Sequence, residues 1–450
     1  MTINEKIVLQ TEKPAIRVYG KRWLILIIYI AYATLSTLQW VEYSIITNVV
    51  SKYYHVSASA VDWTAMSFSI MWPILVFPAS FIIDKMGLRV AGLIGAFTTA
   101  LGAVIKIFSI GENLFGVLLA GQIVVAASQI FILSLPPKIA VTWFKPEEVS
   151  KVCSLGIFGM TLGSAMGFLI PPMIVHDSDN LDDIAYDLKT MCWGLAFIIA
   201  PVALTVVFYF PAEPPHPPSQ TMFEERENRK NVTTKVFVES IKTLLQNKAF
   251  MLHTLCYGCI VAIFSSIGTL LNQFILSYFP GAQEDAGRMG LVMILTGMVG
   301  SVITGFVLDK THKYKETAFI IFLLSAVAIV GFALALELNS KWMVYLAIGI
   351  FGFFVTAYMP AGIEFATEIT FPFPESTVTG ILMASSQMLT VIITVILGIV
   401  IDKFGTLFCL LFMAGVLLVG TVLTLLTPNI LNRQAAFMKE KYCQFTPIKQ

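Results

Sequence analysis

Long apolar runs dominate this chain, and they leave few folds open to it. Leu24–Leu38 and Ala318–Leu336 are two of many. At about 1.5 Å rise per residue, roughly 20 apolar residues carry a helix across ~30 Å of hydrocarbon. Backbone inside lipid must satisfy its own polar groups, so the runs are predicted to be helices. Over 450 residues, 57% are hydrophobic, only 13% are charged, and the mean hydropathy is +0.80. A soluble enzyme of that composition would hold many helices with no polar face. The expected class is an all-α membrane protein.

Twelve spans are predicted, at 23–49, 61–83, 90–111, 114–138, 149–174, 190–210, 249–279, 287–308, 317–336, 342–369, 376–401 and 405–427. The polar stretch 211–248 begins Pro-Ala-Glu-Pro-Pro-His-Pro-Pro and divides them six and six. The predicted modules are a tail at 1–22, a six-helix bundle at 23–210, a linker at 211–248, a second bundle at 249–427 and a tail at 428–450. Within the linker, Val236–Leu245 reads as a short surface helix. With both tails and the linker in the cytoplasm, 23 of the 29 Lys and Arg residues fall on the inner side, as topology requires. The first apolar run is too long for a signal peptide and is expected to remain as a span. A plasma-membrane monomer is expected, with the bilayer as its surroundings. A net charge of +1 predicts no nucleic-acid partner.

The two halves echo each other. Asp84-Lys85-Met86-Gly87-Leu88-Arg89 closes the second span, and Asp309-Lys310 closes the eighth, 225 residues later. Two parallel halves around a midplane site are a recurrent transporter plan. Asp84, Arg89 and Asp309 are expected to gate the inner face by pairing with helix ends. Asp402-Lys403-Phe404-Gly405 is similar but falls on the outer side. Glu364 and Glu368, one turn apart in span ten, are expected to join the inner gate by pairing with Lys138 or Arg89.

Polar side chains at mid-span are costly in lipid and are expected to face the interior. Gln39 and Trp40 in span one, Thr161 in span five, Ser265 in span seven and Gln387 in span eleven are such residues, and Gln122 and Gln129 in span four join them. Glu42 lies close by, where an indole face and a carboxylate together would suit a cation. Lys106 is expected to snorkel outward. Gly156, Gly159, Gly163 and Gly167, and Gly297, Gly300 and Gly305, read as close helix packing. Pro136-Pro137 and Pro171-Pro172 read as kinks or helix ends. The six cysteines, including Cys256-x-x-Cys259, read as small buried residues. The five histidines make no metal spacing, and no nucleotide-binding or hydrolase motif is present; neither enzyme activity nor a cofactor is expected.

Several of these stretches are specific enough to suggest a family. Gln39-Trp40-Val41-Glu42-Tyr43-Ser44-Ile45-Ile46-Thr47-Asn48 resembles the first helix of the feline leukaemia virus subgroup C receptor family of major facilitator transporters. So do Asp62-Trp63, Leu135-Pro136 with Trp143-Phe144, Thr269-Leu270-Leu271-Asn272-Gln273, and Pro360…Glu364-Phe365-Ala366…Glu368-Ile369-Thr370. The resemblance runs over roughly residues 20–430. It implies a twelve-helix major facilitator fold in two pseudo-symmetric bundles, working by alternating access on choline or ethanolamine. Haem or another porphyrin is the alternative cargo. The family's site pairs a tryptophan at the Trp40 position with a tyrosine in helix seven, and adds glutamines in helices five and eleven. This chain keeps Trp40 and Gln387 but has Ser265 and Thr161 at the other two positions. It also carries Glu42 where the family has glutamine, and Phe68 where a tyrosine is usual. Phe264 and Phe68 are the candidates to replace the missing aromatic wall.

Overall fold

The computed structural model describes residues 17–216, 241–373, 375–429 and 432–433, without the side chains of Phe77, Phe81, Asp84, Pro146, Asp309, Glu375 and Ser376. Most of both tails and of the linker, with the first half of the expected helix Val236–Leu245, lie outside those residues; 241–246 are helical. The described chain is helical through nearly all of its apolar runs. We number the α-helices in chain order: α1 Lys21–Leu38, α2 Thr47–Tyr54, α3 Ala58–Ile107, α4 Phe115–Trp143, α5 Val149–Ile174 and α6 Leu181–Tyr209 in the first half. The second half holds α7 Lys248–Tyr278, α8 Gln283–Thr311, α9 Tyr314–Glu337, α10 Lys341–Thr370, α11 Glu375–Phe404 and α12 Thr406–Leu426. Eleven segments among the described residues are long and apolar enough to cross a membrane. The arm of α3 before Gly87 is helical over the expected second span, which brings the architecture to the twelve predicted.

Two details differ from expectation. The first span is not one helix: α1 stops at Leu38, residues 39–43 form turns, and a short 3₁₀ turn at Ser44–Ile46 leads into α2. Pro136-Pro137 does not end its helix, since α4 runs on to Trp143. In α3 the chain turns at Gly87, with φ 83° and ψ −179°. Only glycine holds that conformation without strain. Gly405, between α11 and α12, repeats it at φ 82° and ψ 177°. The Asp-Lys-x-Gly sequence at 402–405 is therefore the same backbone device as that at 84–87. The second-half echo, Asp309-Lys310, leads instead to His312 at φ 53°.

Glycine stripes set the tightest helix pairs. A Cβ on Gly163 would lie 2.3 Å from the Thr34 carbonyl oxygen, and one on Gly167 2.4 Å from that of Leu38. α5 therefore rides on the backbone of α1. In the second half α8 does the same on α10: a Cβ on Gly300 would come within 2.0 Å of the Phe353 carbonyl oxygen. Gly305 has open space around it and takes no part. Without a hydrophobic force between helices in lipid, such backbone contact is what fixes their positions.

Candidate functional site

The halves meet along α5 against α8 and α3 against α11. Gly287 and Gly290 of α8 receive Phe168 and Pro172 of α5, with no room for a Cβ at either glycine. At the end far from both termini, polar bonds tie the halves together. The Asn272 side chain donates to the Ile45 carbonyl at 2.8 Å and to Asn48 at 3.2 Å. Gln283 donates to the Val175 carbonyl at 2.7 Å and accepts from Asn48 at 3.0 Å. Gln273 donates to Asp62 at 2.9 Å, and Ser59 to Asp402 at 3.3 Å. One hydrophobic core runs through both halves at this end, from Val41 and Phe168 to Ile267 and Phe274. Nearer the termini the first half has a core of its own, touched from α11 by Met383 and Ala384. The far end is closed in this conformation.

This closure is built from bonds worth about 0.5–1.5 kcal/mol each. Replacing Asn272 with alanine removes its two donor bonds and the weaker bond its oxygen accepts from the Asn48 amide at 3.4 Å. The closed state is expected to lose about 2 kcal/mol, a shift of roughly thirtyfold in the conformational equilibrium. Electron-electron distance measurements between spin labels at 179 and 284 in the Asn272→Ala protein should show a longer population. An unaltered distance distribution would remove these bonds from the gate.

Trp40 sits where the first span breaks. The short turn after Leu38 directs its indole to the seam between the halves, where it stacks on Phe264 of α7 (ring centroids 6.4 Å apart, planes at 27°). Its other neighbours are a small cluster of Phe68, Val125 and Ala126 from the first half, and Gly268, where a Cβ would lie 3.5 Å from the indole. The separation and the small tilt are those of an offset aromatic stack across the seam.

Helical periodicity places the remaining expected residues. Thr161 shares a face of α5 with Phe168 and Pro172, seven and eleven residues on, which pack against α8. It is therefore turned to the second half, with its hydroxyl bonded to its own helix at Ile157. Ser265 shares a face of α7 with Gly268 and Asn272, which reach Trp40 and Asn48. Gln387 shares a face of α11 with Met383, Ala384 and Gly398, which face the first half. All three are turned to the seam that Trp40 occupies. None of them bonds another side chain among the described residues.

Gln39, Glu42 and Lys106 differ from expectation. Lys106 does not snorkel: it is 1% exposed, as is Glu42, and Gln39 is fully buried. Its ammonium donates to Gln39 at 2.6 Å, to Gln122 at 3.1 Å and to the Glu42 carboxylate. The Glu42 and Gln39 side chains thus point into the first half, away from the seam, and the Glu42 charge is cancelled. A lysine at this depth finds three acceptors within the bundle closer than it finds water. The sequence did carry a signal: one acid and one base in the same half, both deep in apolar runs, are cheapest when they meet.

At the other end, Arg89 bonds the Val207 carbonyl at 3.5 Å rather than a helix-ten carboxylate. Glu364 is exposed and Glu368 buried. The expected gating side chains of Asp84 and Asp309 lie outside the described residues. Among those residues, no group of three or more His, Cys, Asp or Glu side chains could hold a metal ion.

The profile of the Major Facilitator Superfamily matches residues 23–374. An uncharacterized MFS-type transporter of Caenorhabditis elegans is 40% identical over 94% of this chain and 72% of its own length. The choline/ethanolamine transporter flvcr2b of Danio rerio is 39% identical over 94% of this chain and 87% of its own. The human choline/ethanolamine transporter FLVCR2 is 34% identical over 94% and 80%. Among solved structures, a bacterial homologue of the human lysosomal transporter Spinster, inward-facing and unoccupied, superposes with a TM-score of 0.72. It is 14% identical and covers 91% of this chain and 98% of its own. A D-xylose–proton symporter gives 0.70 at 11% identity, over 91% and 98%. These two share the fold.

Proposed function

We propose a cargo on the premise that the chain belongs to the major facilitator superfamily and, within it, to the family of the choline/ethanolamine transporters FLVCR1 and FLVCR2. It is a facilitative, alternating-access transporter of a small organic cation, choline first and ethanolamine second. The observation that carries this reading is the indole of Trp40 on the seam between the halves, stacked on Phe264 and next to Phe68. Aromatic faces attract a quaternary ammonium by about 2 kcal/mol when both are desolvated. Gln387, Thr161 and Ser265 add neutral hydrogen-bonding groups on faces turned to the same seam. Because Lys106 neutralises Glu42, ring faces rather than a carboxylate meet the positive charge. Losing one aromatic wall at Ser265 would cost about 2 kcal/mol, or thirtyfold in affinity, and Phe264, one residue earlier, supplies a ring instead.

In this reading the modules are 1–22, 23–210, 211–248, 249–427 and 428–450. Both termini are cytoplasmic, the protein is a monomer of the plasma membrane, and the far end faces outward. Rocking of the halves about the α5–α8 and α3–α11 seams then exposes the cargo to each side in turn. Asp84, Arg89, Asp309, Glu364 and Glu368 close the inner side. Haem is the weaker cargo. His253 is buried against Gly362 at 2.7 Å, while His55 and His176 pair with Glu112 and Asp187, so none of the three approaches Trp40.

Uptake of radiolabelled choline into vesicles reconstituted with the purified chain tests the proposal. Saturable uptake is expected, reduced by excess ethanolamine, unaffected by haem and independent of an imposed proton gradient. Vesicles that accumulate neither choline nor ethanolamine above protein-free controls would overturn it.

A further inference from the structure

The Lys106 knot has a position that the transport reading leaves unused. It lies beside the break in the first span, and all its members are sealed from solvent at 0–1% exposure. Residues 39–43 have left the helix, so their backbone groups lose helical partners at a depth where water does not supply others. The Gln122 amide donates to the freed Gln39 carbonyl at 2.8 Å. Lys106 gathers the side chains of Gln39, Glu42 and Gln122 onto one ammonium, and the Tyr43 ring lies beneath that ammonium at 5.4 Å. Gly121 makes room for this, since a Cβ there would come within 2.6 Å of Lys106 Cγ. Residues 39, 42 and 43 are thereby anchored to α3 and α4, and Trp40 lies between the anchors.

We propose that Lys106 is a positioning residue for transport: it clamps the broken turn of the first span and so fixes the Trp40 indole on the seam. It touches no cargo itself, being walled off from the seam, and acts through Trp40. A knot needed only for stability would have little reason to be ionic. Two well-packed apolar side chains of similar volume commonly hold a buried site as well as a desolvated ion pair does. Apolar side chains, however, would not bind the polar groups of an unwound turn, and the turn would be free to rewind or wander.

The inference rests on the choline reading only for its transport readout, so the test has two arms. The Glu42→Gln/Lys106→Met double variant removes both charges together and leaves none buried alone. In hydrogen–deuterium exchange of the full chain, amides in the peptide spanning 36–46 are expected to exchange about tenfold faster, with peptides of α8 and α10 unchanged. In vesicles, the KM for choline is expected to rise about tenfold while the maximal rate per transporter stays within about twofold. If the double variant does not fold, Gln122→Met serves in its place. It leaves the ion pair intact but removes one acceptor and the donor to Gln39, and about a threefold rise in KM with faster exchange at 36–46 is expected. Parental exchange in that peptide overturns the clamp, whether or not the protein carries choline. Faster exchange with an unmoved KM confines the knot to stability and equally overturns its role in transport. Faster exchange in a protein whose parent carries no choline supports the clamp and rejects the cargo.

Discussion

Trp40→Ala is expected to abolish saturable choline uptake while leaving a folded, membrane-inserted protein. The indole is half-buried at the seam, meets Phe264 from the second half and packs with Phe68 from the first. Removing it deletes a cation–π face worth about 2 kcal/mol and opens the seam to water, which weakens whatever ring contact remains. At roughly thirtyfold for the face alone, and more with solvation, uptake at micromolar choline should fall to background. Trp40→Phe keeps a smaller ring and should give an intermediate KM. Both variants should match the parent in surface abundance and gel-filtration profile, because among the described residues the indole makes no hydrogen bond and terminates no helix. Parental uptake by Trp40→Ala would remove the seam as the binding site.

The second large effect is on folding. Gly163→Val is expected to prevent assembly of the first half. The added Cβ would sit 2.3 Å from the Thr34 carbonyl oxygen and 2.9 Å from its Cα. Both are backbone atoms of α1, so no side-chain rotation relieves the clash and the helices must separate. Separation also strains the Thr34 hydroxyl bond to the Gly159 carbonyl, 2.9 Å long, and the neighbouring contact of Gly167 with Leu38, two residues before Trp40. A cost of about 3 kcal/mol or more is expected, read as a lower melting temperature in detergent and loss of the monodisperse peak. Gly305→Ala is the control. Nothing lies within 4 Å of the added methyl, and helix propensity alone predicts an equal or slightly more stable protein. Equal melting of Gly163→Val and parent would show that the stripe does not hold α5 to α1.

How far the fold could be read ahead differed from element to element. Apolar runs placed most helices within a few residues, α7 at Lys248–Tyr278 against an expected 249–279, because lipid permits no other backbone there. Ends outside the apolar run were missed, as where α6 begins at Leu181 rather than 190 and α4 runs to Trp143 rather than 138. The glycine stripes read equally well, since repeated small residues mean close approach wherever they occur. Gly305 was the exception: the same residue type points at nothing, and only a neighbour's presence or absence decides that. The break after Leu38 was invisible, because Gln39–Ile46 is apolar enough to continue a span. What keeps it open comes from α3 and α4, more than sixty residues away in sequence. Lys106 was misread for the same reason, as a lone cation whose nearest water, judged along the chain, lay at a helix end.

Composition and period thus determined by themselves a two-half, twelve-helix membrane protein and the spans that carry its mid-depth polar residues. Both follow from local rules about backbone in hydrocarbon. Tertiary structure alone decided that Glu42 and Lys106 cancel inside the first bundle, that Trp40 meets Phe264 across the seam, and that the end far from the termini is shut. Those are contacts between segments remote in the chain, and side-chain direction at a helix break depends on partners that no local pattern encodes.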